Sequence, residues 1–333
     1  MSDMVSTPPR DAFMLDGAEA QERAFLEAYE RGRLHHAWLL TGPEGVGKAT
    51  FAFRVARLLL GARPDPRYGL LGSSPDDPVS HQVSARSHPD FMALEREALD
   101  GKPRKSIPVD EARTLPEFFS KAPATSAYRV AIIDAADDLN INAANAVLKT
   151  LEEPPERGVV LLVSHAPGKL LATIRSRCRR LAFQPWSEEK TAAWLGARGF
   201  TAEDSVRLSR MARGAPGRAL YLAGAGALEA DRAAHELLRK LPQIDEAALQ
   251  AMADGFRGAE GAARFEVLFD RLADQVRVMA EETAVRAEPG SLDRWAEAWE
   301  GLTNLPGEAE ALNLDRAAVF WTAMRQLRQA ARA

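Results

Sequence analysis

The octapeptide Gly42-Pro-Glu-Gly-Val-Gly-Lys-Ala49 joins a short apolar run, His36 to Thr41, to a helix-forming stretch, Lys48 to Leu60. A strand, a glycine-rich turn and a helix in that order are what a phosphate-binding loop requires. Gly42, Gly45 and Gly47 let backbone N–H groups curl around an anion. The helix N-terminus adds positive potential, and Lys48 supplies a mobile charge. The alternative is a plain glycine-rich turn at a helix start. One position departs from a working loop. The residue after the lysine is normally Ser or Thr, whose hydroxyl holds Mg²⁺, and here it is Ala49. Thr50 does not replace it directly, because one helical step turns a side chain by about 100°.

The rest of the first half alternates in the same way. Phe91 to Leu94, Arg129 to Asp134, Val159 to Ser164 and Arg180 to Phe183 read as further strands. Val130 to Ile133 and Val159 to Val163 are continuously apolar, the pattern of strands covered on both faces. An α/β fold with a parallel sheet follows. Beyond Trp186 the composition turns to Ala, Leu, Arg and Glu, which predicts helices. Thr201 with Asp204 reads as a helix start, and Gly224-Ala-Gly226 as a hinge. Glu288-Pro-Gly290 and Leu305-Pro-Gly307 read as turns between helices, residues 61–88 as an irregular insertion and 99–107 as a basic loop. Trp186, Trp194, Trp295, Trp299 and Trp321 read as packing or interface anchors on helices.

At 333 residues the chain is long enough for two or three domains without a disulfide or metal staple. Its one cysteine, Cys178, excludes an intrachain disulfide and a four-cysteine zinc site. A net charge of -4 gives no whole-chain sign of a nucleic-acid or membrane binder. A local patch at Lys102, Arg104 and Lys105 stays open as either a solvated loop or a DNA contact. No apolar run approaches a bilayer span, and Met1 to Asp16 does not read as a secretory signal. The expectation is a cytoplasmic protein. His35 and His36 read as strand-start residues, not metal ligands.

A second acidic motif ends the Arg129 strand. Asp134 suits a Mg²⁺-holding carboxylate; alternatively it only caps the strand end. The next position, where an Asp-Glu pair would place a water-orienting glutamate, is Ala135. Asp137 and Asp138 read as caps of the following helix, with Asn140 as another candidate. With Ala49 and Ala135 together, the chain reads as a poor ATPase.

The sequence resembles the clamp-loader subunits of bacterial DNA polymerase III, in the AAA+ family. The resemblance is carried by His36-Ala37, Asn145-Ala-Val-Leu-Lys-Thr-Leu-Glu-Glu-Pro-Pro155 and Ser176-Arg-Cys178, in order after the phosphate loop, and covers about residues 15–225. It implies an AAA+ domain with a five-stranded parallel sheet over residues 1–184, a small helical lid over 185–228 and an all-α collar over 229–333. Within the family it is similar to the non-motor branch, because gamma and tau should keep a complete loop and the Asp-Glu pair. The resemblance implies that Arg177 acts in trans as an arginine finger on a neighbour's ATP. It also implies that Ser164, with His165 beside it, stands at a γ-phosphate sensor position, and that Arg218 is a nucleotide-sensing lid arginine. The alternatives are a solvated basic loop for Arg177 and relic positions for the other two. ATP is the implied nucleotide, its binding open and its hydrolysis by this chain not expected. No zinc is expected. The implied partners are gamma or tau, delta, the beta sliding clamp and primer–template DNA. The competing readings are an ATP-hydrolysing motor of gamma or tau type and a nucleotide-independent scaffold.

Overall fold

The computed structural model describes residues 7–96, 107–286 and 291–331. The basic residues Lys102, Arg104 and Lys105 and the turn at 288–290 lie outside them. The chain divides into two compact units, one running to Ala219 and one from Leu220 onward.

The first unit contains, in order, α1 (Glu19–Glu30), β1 (Ala37–Thr41), α2 (Lys48–Leu59), α3 (Pro78–Ser84), β2 (Phe91–Glu95), α4 (Val109–Ser120) and β3 (Arg129–Asp134). There follow α5 (Ile141–Glu152), β4 (Gly158–Ser164), α6 (Ala172–Ser176), β5 (Arg179–Ala182), α7 (Glu188–Gly196), α8 (Ala202–Met211) and the start of α9 (Pro216–Gly224). The five strands form one sheet in the order β2-β3-β4-β1-β5, and every pairing is parallel. Side chains alternate across it. Trp38, Leu40, Val130, Ile132, Leu161 and Val163 pack on one face with Phe25 of α1 and Phe51 of α2. Leu39, Ala131, Ile133 and Leu162 pack on the other with Val147 and Leu151 of α5 and Ile174 of α6. Burial on both faces explains why β3 and β4 read as unbroken apolar runs.

Parallel strands place all their C-terminal ends on one edge of the sheet. The turn after β1, the acid ending β3 and Ser164 ending β4 therefore converge there, as ligand sites in such sheets do. Two buried arginines of α2 tie the segment before α1 across this layer. Arg54 pairs with Glu22 at 2.8 Å and donates to the carbonyls of Phe13 and Tyr68. Arg57 donates to the Arg10 carbonyl and lies 4.1 Å from the Phe13 ring centre.

The second unit comprises α10 (Ala227–Arg239), α11 (Glu246–Asp254), α12 (Gly258–Arg286), α13 (Ser291–Ala311) and α14 (Arg316–Ala331). Phe265, Phe269, Leu272, Trp295, Leu302, Phe320 and Met324 form its core.

Four expectations need correction. Leu305-Pro-Gly307 is not a turn: α13 runs straight through Pro306. Leu302 and Ala309, seven residues apart, are both buried in the core, and that packing outweighs the backbone donor that proline removes. The 61–88 insertion is not wholly irregular. It holds α3, whose start is capped by the Asp77 carboxylate accepting from Val79 and Ser80 N–H. Trp186 lies in the connection before α7, not in a helix. Asn140, not Asp137 or Asp138, caps α5, accepting from the N–H groups of Asn142 and Ala143. Thr201 caps α8 as expected, accepting from Asp204 N–H.

Candidate functional site

The turn after β1 has the backbone shape of a phosphate cradle. Gly45 and Gly47 adopt positive φ of 78° and 93°, the region where only glycine is unstrained. Gly47 is also the N-cap of α2. A Cβ on Gly45 would lie 2.3 Å from the Arg218 backbone nitrogen. This close approach has a polar counterpart: Gly217 N–H donates to the Gly45 carbonyl at 2.8 Å. The N-terminus of α9 thus rests directly on the loop, with the Arg218 guanidinium 4.0 Å from Glu44.

Lys48 is 2% exposed. Its ammonium donates to the Gly42 and Pro43 carbonyls at 2.6 and 2.5 Å, so the loop itself satisfies the charge. Burial pushes its pKa down to about 8, against the opposing pull of Asp134, Asp137 and Glu44. Asp134 is displaced the other way. Burial, reinforced by Glu95 on the adjoining strand and opposed by Lys48, raises it to about 6. Its carboxyl ionises at about 3.8 in an unfolded chain and about 6 here. Stability therefore falls as pH rises through that window, and the cost persists at neutral pH. Asp134→Asn should stabilise the chain at pH 7 by up to about 3 kcal/mol at 1.36 kcal/mol per unit. It should also flatten the stability–pH curve across that window; denaturant titrations at pH 4, 5, 6 and 7 check both.

Ser164 is fully buried and its hydroxyl donates to Asp137 at 2.7 Å. The same carboxylate accepts the backbone N–H groups of His165 and Ala166. Asp137 thus locks the end of β4, a role that the helix-cap reading missed. The sequence signal was its spacing, three residues after Asp134 at a strand end. The Ala49 methyl packs against the buried core below the sheet, and Ala135 is 4% exposed. Thr50 is half-buried on α2 one step further on. Among the described residues, no cluster of His, Cys, Asp or Glu is placed to hold a metal ion. The glycine turn thus has the left-handed residues and the helix start that a phosphate loop needs, while the two positions that would serve metal and water carry methyl groups.

Gly42, Gly45, Gly47, Lys48, Asp134, Ser164 and Arg218 gather at one edge of the sheet. Arg177 does not join them. Arg179 pairs with Trp38 near the start of β1 and Ala182 with Thr41 at its end, so Arg177 lies beyond the N-terminal edge. Three strand steps of about 3.3 Å put it more than roughly 10 Å from its own loop. There it pairs with Glu152, the last residue of α5, at 3.0 Å and donates to the Thr173 carbonyl at 3.0 Å. Cys178, beside it, is raised by burial to about 12 and is no nucleophile at neutral pH.

A sequence profile of the family described as DNA polymerase III, delta subunit, matches residues 17–187, just over half of the chain. The chain belongs to this family. Similar curated proteins carry the related name DNA polymerase III subunit delta'. That of Pseudomonas aeruginosa is 35% identical over 214 residues, 63% of this chain and 62% of that protein. That of Escherichia coli is 32% identical over 196 residues, 59% of this chain and 56% of that protein. The alignments thus span less than two thirds of those relatives. A gamma subunit of Buchnera aphidicola is 34% identical over 164 residues, 49% of this chain and 42% of that protein. A gamma-subunit-related structure from Thermotoga maritima superposes with a TM-score of 0.52 at 17% identity, covering 95% of this chain and all of that one; it supports the fold. The clamp-loader resemblance read from the Leu-Glu-Glu-Pro-Pro and Ser-Arg-Cys motifs is borne out, and the likeness is to delta-prime subunits in particular; the expected five-stranded parallel α/β sheet followed by an all-α region is observed. Among the described residues no helix is long and apolar enough to cross a membrane.

Proposed function

We propose that this chain is a non-motor subunit of the DNA polymerase III clamp loader, helping place the sliding clamp on primed DNA while its neighbours hydrolyse ATP. One observation carries the reading: the chain's own nucleotide site carries Ala49 where a metal-binding hydroxyl would stand and Ala135 where a water-orienting glutamate would stand, while Arg177 stands at the opposite sheet edge. An arginine there is out of reach of the subunit's own nucleotide and is available to a neighbour's. In trans it would offset charge developing on the transferred γ-phosphoryl group. In this reading residues 1–184 form the AAA+ domain, 185–228 the lid and 229–333 the collar through which the ring assembles. The neighbours are gamma or tau and delta; the beta clamp and primer–template DNA are met through the complex, in the cytoplasm. ATP, if bound here, is held by Gly42, Gly45, Gly47 and Lys48 beside Thr50, Asp134, Ser164 and Arg218, and is not hydrolysed. The test is an Arg177→Ala subunit reconstituted with its neighbours: assembly should persist and ATP turnover should fall. Unchanged turnover in an assembled complex would remove the finger assignment.

A second reading, an ATP-hydrolysing motor of gamma or tau type, draws on the retained Lys48 and Asp134 and on the gamma-named relatives. Ala49 and Ala135 oppose it. Lys48-dependent hydrolysis by the isolated chain would favour it.

A further inference from the structure

We propose that Glu152 is a holding partner for Arg177, keeping the guanidinium docked on its own subunit until the terminal phosphate of a neighbour's nucleotide takes it over. This rests on the arginine-finger reading above. Glu152 is the final residue of α5, followed by Glu153 and two prolines. A carboxylate at a helix C-terminus is disfavoured by the helix dipole, so local helix stability does not account for this residue. Its Oε1 instead accepts from Arg177 Nη2 at 3.0 Å, while Nη1 bonds the Thr173 carbonyl. The neighbouring arginines are engaged differently. Arg175 donates to the Pro167 carbonyl, Arg179 lies 4.7 Å from the Trp38 ring centre, and Arg180 donates to the Thr41 hydroxyl. Among the described residues, Arg177 is the one of these four arginines that pairs with a carboxylate.

The pair is weak enough to exchange. The Arg177 and Glu152 side chains are 36% and 48% exposed, and an ion pair of that exposure shifts an equilibrium by about five-fold at most. A triphosphate terminus carries more charge than a carboxylate and accepts a guanidinium through two oxygens, so it wins the competition. Holding Arg177 on Glu152 therefore opposes ATP engagement but is absent once the finger has moved. Glu152 is a positioning residue that acts through Arg177. Its removal should alter KM and leave kcat alone.

The experiment is steady-state ATP hydrolysis by the reconstituted complex carrying wild type, Glu152→Gln, Arg177→Ala or both. Glu152→Gln should lower KM for ATP roughly two- to five-fold with kcat unchanged, and the difference should shrink as salt screens the pair. In the Arg177→Ala background the same substitution should do nothing. Glu152→Ala should reproduce the KM shift, and neither variant should lower the melting temperature, because the carboxylate is exposed and opposed by the helix dipole. An unchanged KM, or a lower kcat, with Arg177→Ala still impairing turnover would overturn the holding role and leave the finger intact. No effect of Arg177→Ala would instead overturn the finger, and with it this proposal.

Discussion

In a reconstituted clamp loader, Arg177→Ala should leave the ring assembled but silence the ATP site that this subunit faces. Arginine fingers supply on the order of 10³-fold or more in related hydrolases. The affected site should therefore contribute almost nothing, while sites served by other subunits' arginines continue. Total turnover should drop by that site's share, with kcat bearing most of the loss because the finger acts chiefly on charge that develops in the transition state, and with a smaller rise in KM from the lost contact to the bound terminal phosphate. Arg175→Ala is the matched control. It lies two residues away on the same exposed segment and donates to its own chain at Pro167, so its removal should change turnover little. Equal losses from both variants would point to a diffuse basic patch and contradict a specific finger.

The largest stability effect is expected at Asp90→Ala. The Asp90 carboxylate is fully buried. It accepts from the N–H groups of Ala124, Thr125 and Ser126 and from the Thr125 and Ser126 hydroxyls, and lies 3.3 Å from Arg129. Burial alone would raise its pKa; the hydrogen bonds outweigh it and bring it down to about 2. Its stabilisation is thus present above the unfolded value of about 3.8 and is lost as pH falls through about 2. Removing the carboxylate strands these donors and leaves the Arg129 charge, also buried, without its counter-ion. A loss of about 3–5 kcal/mol follows, read as a lower midpoint in urea at pH 7. A loss below about 1 kcal/mol would mean that the 121–128 connection relaxes to satisfy those donors elsewhere.

Much of the sheet was legible because burial on both faces leaves an unmistakable record. Val130 to Ile133 and Val159 to Val163 could not be half-exposed strands, and the glycine-rich turn identified the edge where a site forms. What escaped was set by contacts between distant segments. Pro306 looks like a helix stop until Leu302 and Ala309 are seen anchoring the same helix face in the core. Asp137 looks like a cap until β4 ends beside it and presents Ser164 and two N–H groups 27 to 29 residues away in sequence. The position of Arg177 follows from strand register: a tripeptide motif does not say which edge of the sheet it occupies, and the Trp38–Arg179 pairing does. Glu152 was visible within its motif, but its partner, 25 residues on, was not.

In the proposed reading this subunit contributes an arginine to a neighbour's catalysis and does no hydrolysis itself. The most direct measurement is ATP binding and turnover by the purified chain, with Lys48→Ala as control. No turnover that depends on Lys48 is expected, whether or not nucleotide binds at the glycine turn. Clear hydrolysis abolished by Lys48→Ala would contradict that reading and make this chain a motor despite Ala49 and Ala135.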